Sequence, residues 1–195
     1  GIQFVSVGNS AYQQWTFAPP RPITPGLDWK GRGADVMMHV LEENLKKSGG
    51  TLLRGTAAHA LIVDGGRIAG VEVLHGGKTQ RIGARAVVIA DGGFQGNLEL
   101  VRENISAQPA KVMQRGASTG VGDGLRMARA AGAATSELAP FYGHLLSRDA
   151  FKNDKVWPYP QCDELGVAGI VINHRGERFV DEGRGGVYVA NAIAR

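Results

Sequence analysis

The sequence predicts a mixed α/β (α+β) fold on three observations. Apolar residues recur at helical spacing over 34–48, and a period of two holds through three short segments between 58 and 82. The run V-V-I-A-D-G-G-F at 87–94 then reads as a strand buried on both faces that ends on two glycines. A plain doubly wound domain would set a helix where this chain sets the period-two segments.

Composition bounds the reading. With 43% hydrophobic residues, 195 residues suffice for a core, and no apolar run is long enough to suggest a membrane span. The net charge of +4 comes from 22 basic residues dispersed among 18 acidic ones. The densest basic pair, Lys46-Lys47, sits beside Glu42 and Glu43, so no nucleic-acid stripe is present. The single cysteine, Cys162, offers neither an internal disulfide nor a multi-cysteine metal site, and no metal is expected. A reducing compartment follows, with cytoplasm as the expected location.

The elements follow in order. Residues 1–33 read as an irregular, ordered loop with at most a short strand over 1–7. Pro19, Pro20, Pro22 and Pro25 deny donors there, and Trp15, Phe17 and Trp29 read as anchors. The helix over 34–48 places Val36, Met37, Val40, Leu41 and Leu45 on one face, and Gly49-Gly50 stops it. Gly31-Arg32-Gly33 leaves amides at its start that suit an anion. Thr51–Arg54 reads as a short strand. Residues 58–63, 67–74 and 79–82 form a three-stranded antiparallel meander turning at Asp64-Gly65-Gly66 and Gly76-Gly77.

A short helix is expected from Asn97 to Asn104, and another from about Leu125 to Ala131 behind the loop T-G-V-G-D-G at 119–124. In that loop Asp123 either caps the helix or accepts from a ligand hydroxyl. Residues 135–166 are mixed, with aromatics at Phe141, Tyr142, Trp157 and Tyr159. His144 lies among them as either a substrate ligand or a buried structural histidine. From 169 the chain has strand, turn, strand character, turning at Asn173–Gly176, and a helix begins near Tyr188.

Three stretches in order carry a resemblance: R-A-V-V-I-A-D-G-G-F at 85–94, T-G-V-G-D-G-L-R-M-A-R-A-A-G-A at 119–133, and G-I-V-I-N-H-R-G-E-R-F-V-D-E at 169–182. Together they resemble the flavoproteins related to fumarate reductase and succinate dehydrogenase, a group that includes 3-ketosteroid dehydrogenases and tricarballylate dehydrogenase. The resemblance implies FAD as cofactor and a glutathione-reductase-like FAD-binding domain interrupted by a clamp domain. Residues 1–138 would be part of the former and 139–195 the start of the latter. The family's glycine-rich phosphate loop would fall before Gly1 and its second flavin segment after Arg195. The chain is therefore expected to be a fragment that does not hold FAD tightly or act alone.

The resemblance also implies the site. Ala57 and Ala58 fall where family backbone meets the adenine, and Ala90, Asp91, Gly92, Gly93 and Asp123 fall where the family contacts FAD. His144 falls at a substrate-carboxylate histidine. The family's arginine proton donor has Gly186 in its place, with Arg184 nearby, and Tyr188 offers a steroid-type acid/base. Arg178 and Glu182 equally suit a structural ion pair. The implied activity is dehydrogenation or reduction of a carbon–carbon bond next to a carboxylate or ketone, on a di- or tricarboxylate or a steroid ketone. A non-catalytic binding module, pairing with a second copy through open sheet edges, is the alternative.

Overall fold

The computed structural model describes residues 2, 4–9, 12–18, 21–22, 27–114, 116, 118–151, 153 and 162–195. Pro19, Pro20, Pro25 and the run Trp157-Pro158-Tyr159-Pro160 lie outside them. The chain divides into two units, Gly1–Arg54 with Lys152–Trp157, and Gly55–Phe151 with Pro158–Arg195.

The first unit is more regular than its prolines suggest. β1 (Phe4–Asn9) and β2 (Tyr12–Phe17) form an antiparallel hairpin, and β3 (Arg21–Pro22) pairs with β4 (Leu27–Asp28). The sequence Y-Q-Q-W-T-F at 12–17 carries no period-two apolar pattern. The expected anchoring by tryptophan is not observed, since Trp15 and Trp29 are 69% and 52% exposed. Phe17 instead meets Phe4 across the hairpin, ring centroids 5.1 Å apart.

Helix α1 (Gly33–Lys47) forms as its spacing predicts, with ion pairs Glu42–Lys46 at 2.7 Å and Glu43–Lys47 at 3.8 Å. Gly49 leaves it at φ +79°. The amides at its start are already engaged: Gly31 N–H donates to Asp35 Oδ2 at 2.8 Å and Gly33 N–H to Ala18 O at 3.1 Å. Residues 51–54 carry no strand.

The second unit is built on the predicted meander. β5 (Thr56–Asp64), β6 (Arg67–His75) and β7 (Lys78–Gly83) run antiparallel in that order. Both connections are two-residue turns with positive φ at each glycine, 52° and 78° at Gly65-Gly66 and 56° and 76° at Gly76-Gly77. Such primed turns match the strands' own twist, and glycine adopts them without steric cost. The register shifts between Ala58 and Ala60, so β5 bulges at His59.

Three short helices follow: α2 (Leu98–Asn104), α3 (Asp123–Ala130) and α4 (Asp163–Ala168). The last, α5 (Gly186–Ala194), buries Val189, Ala190 and Asn191. α3 packs on β5.

Two expectations fail here. Val87–Ala90 is no strand, and Val88 is 89% exposed. β-branched residues form a strand only against a hydrogen-bonding neighbour, and among the described residues none pairs with this run. Residues 169–180 likewise yield a single bridge, Ile172 to Arg178. Val171 N–H, a donor a longer ladder would use, goes instead to Glu182 Oε1 at 2.6 Å.

Candidate functional site

The two glycine loops meet. Gly124 N–H donates to Asp91 Oδ2 at 2.7 Å, and Gly96 N–H donates to Gly120 O at 2.7 Å. Asp91 therefore caps α3 from 33 residues away. Asp123 is the first helical residue and no cap; its carboxylate takes Arg126 Nη2 at 3.2 Å. Arg126 Nη1 also donates to His59 O at 3.0 Å, which ties α3 to the bulge beside Ala57 and Ala58. Asp123 and Arg126 line an open groove of about 430 Å³ along α2 and α3. Ala90, Asp91, Gly92 and Gly93 stay exposed, and Gly92, at φ +88°, has no atom within 4 Å of where a side chain would begin.

A second cluster gathers the other candidates. His144 Nδ1 lies 2.7 Å from Asp163 Oδ2, with the two side chains 19% and 23% exposed, and Leu145 N–H donates to Asp163 Oδ1 at 3.0 Å. The Tyr142 ring stands edge-on to the imidazole, centroids 4.8 Å apart. Asp163 opens α4 and also abuts Gly186 at the start of α5. On either side of Gly186 in the chain, the Arg184 guanidinium stacks on the Tyr188 ring at 3.7 Å. Asp163 was missed from sequence. No local pattern announces a contact closed over 19 residues.

Arg178 and Glu182 form the structural pair. Glu182, 3% exposed, takes Arg178 Nε at 3.0 Å and Nη2 at 2.6 Å. The Arg178 hydrogen bond, then the Val171 amide, pull its carboxyl from the ordinary 4.5 down to about 2. Because the folded value is the lower one, the pair's contribution is whole above pH 4.5 and is lost as pH falls toward 2. Urea midpoints measured across that window should fall less steeply in Glu182→Gln than in the wild type.

Residues 28–195 match the FAD binding domain family. The chain belongs to that family. FAD is accordingly its cofactor. Vinyl phenol reductase of Lactiplantibacillus plantarum is 30% identical over 160 residues, which are 79% of this chain and 32% of that protein. The 3-ketosteroid Δ1-dehydrogenase of Sterolibacterium denitrificans, solved with 1,4-androstadiene-3,17-dione, shares the fold at TM-score 0.61 and 22% identity, over 84% of this chain and 29% of that one. An open flavocytochrome c3 fumarate reductase does so at TM-score 0.57 and 22% identity, over 85% and 30%. The chain thus spans about a third of each relative's length. No helix among the described residues is long and apolar enough to cross a membrane.

The FAD binding domain's cofactor fits the first cluster. Bared backbone at Ala90, Gly92 and Gly93, flanked by exposed Val88 and Ile89, suits a long group that is part flat and apolar, part polar. Of the two acidic candidates, Asp91 holds α3 through Oδ2, and Asp123, 51% exposed, is paired with Arg126.

Proposed function

We propose that this FAD binding domain chain is part of an oxidoreductase that dehydrogenates or reduces a carbon–carbon bond next to a carboxylate or ketone. The observation that carries the reading is His144 held against Asp163, a proton-handling pair in the same unit as the bared loops. Two of the names support it, since a 3-ketosteroid carries a ketone and fumarate carries carboxylates, while vinyl phenol shares with them only a reducible carbon–carbon bond.

In this reading Ala57 and Ala58 backbone meets one end of FAD, while Ala90, Gly92, Gly93 and Asp123 hold its length. Bound FAD supplies two-electron oxidation or reduction, taking a hydride from carbon or giving one. Residues from 139 onward begin a clamp over the substrate. Arg184, spread on Tyr188, offers a fixed positive face to a carboxylate or ketone oxygen.

The test is a screen of the full-length protein for bleaching or reoxidation of its flavin against di- and tricarboxylates, ketosteroids and cyclic ketones. One carbonyl-bearing class should change the flavin spectrum within seconds. No response to any of them removes this reading and favours a non-catalytic binding module.

A further inference from the structure

We propose that Asp163 is a positioning residue that fixes His144 as a proton acceptor, and that residue 186 is glycine so that Asp163 can reach it. The role of His144 in turnover rests on the reaction proposed above; the positioning itself does not.

Asp163 spends both oxygens on one short segment. Oδ1 accepts from Leu145 N–H at 3.0 Å and Oδ2 lies 2.7 Å from His144 Nδ1. A carboxylate only accepts, so the neutral ring carries its proton on Nδ1 and keeps a lone pair on Nε2. Held this way, His144 does not donate to a substrate oxygen until it has gained a proton; the oxygen-holding role implied by resemblance belongs to the charged ring.

Gly186 explains how the pair fits. A Cβ there would stand 2.5 Å from Asp163 Cβ and 2.6 Å from Oδ1. Any side chain at 186 would therefore push Asp163 off His144. The resemblance sets an arginine proton donor at this position, and the two arrangements exclude one another.

In dehydrogenation, Nε2 takes the proton from the carbon next to the carbonyl. The C–H bond breaks and an N–H bond forms. The electron pair stays with the substrate and becomes the second carbon–carbon bond as the neighbouring carbon loses hydride to a flavin-class oxidant. Reduction returns the same proton from the charged ring, which the Asp163 carboxylate stabilises.

The test is long-range ¹H–¹⁵N NMR of the 195-residue chain above the pH at which its histidines titrate, with the His144 signals identified by their loss in His144→Gln. The proton should be on Nδ1 in the wild type. In Asp163→Asn, Leu145 N–H keeps the amide oxygen, so the NH₂ group faces Nδ1 and the proton should move to Nε2. Gly186→Ala should give a mixture of the two forms. A wild-type ring protonated on Nε2, or an unchanged ring in Asp163→Asn, overturns the proposal, because a merely structural Asp163 would leave the tautomer alone. In the full-length protein Asp163→Asn should lower kcat about 10²-fold with KM nearly unchanged. An unchanged kcat, with the tautomer moved, would reject His144 as the proton acceptor. Should the substrate screen fail altogether, the NMR result still decides the positioning, so the two failures are separable.

Discussion

His144→Ala in the full-length protein should lower kcat by about 10²–10⁴-fold, the range a positioned acid–base group contributes. The flavin should stay in place, because the bared loops that would hold it are tied by Asp91–Gly124 and Arg126–His59 contacts, and His144 makes neither. Truncation leaves Asp163 with its Leu145 bond, so local order should survive. Steady-state kinetics beside the flavin absorbance of the purified variant check both halves. A variant with wild-type kcat would remove His144 from the chemistry, and one that has lost its flavin would place it in cofactor binding instead.

Gly70→Ala should destabilise the chain by roughly 2–5 kcal/mol, through backbone strain and overpacking together. Gly70 is buried in β6 at φ +155°, and a Cβ there would lie 2.2 Å from Ile82 O and 3.0 Å from Gly83 Cα. Those are backbone atoms of β7 and cannot swing aside; the pairing of β6 with β7 must open. Against a typical domain stability of about 5–15 kcal/mol this is a large share. Gly83→Ala is the control, since its nearest atom would be Ala69 O at 4.0 Å, and it should cost about 1 kcal/mol or less. Urea denaturation followed by circular dichroism measures both, and equal costs would contradict the clash.

What was legible in the sequence was what neighbours along the chain determine. Paired glycines fixed both hairpin turns of the meander, and α1 followed from the spacing of Val36, Met37 and Val40. The convergence of the Gly92-Gly93 and 119–124 loops came from resemblance, not from periodicity, and the Asp91 cap realises it. Illegible were the matters settled by distant partners. Val87–Ala90 has a strand's composition, yet strand formation depends on a neighbour the composition does not name. The arms around Asn173 have a hairpin's composition, yet Glu182 diverts the Val171 amide. Asp163 is indistinguishable in sequence from Glu164 beside it, and only the fold shows which of them His144 meets.

Asn191 has a structural consequence. Its side chain accepts from Phe141 N–H at 3.0 Å and donates to Phe141 O at 2.6 Å, imitating a length of partner backbone. Its amide also donates to Val187 O at 2.8 Å, within α5. The chain three residues ahead of His144 is thus hydrogen-bonded to the last helix, and Asp163, which meets His144, abuts that helix's first residue. Leucine at 191 would leave both Phe141 backbone groups without these side-chain partners.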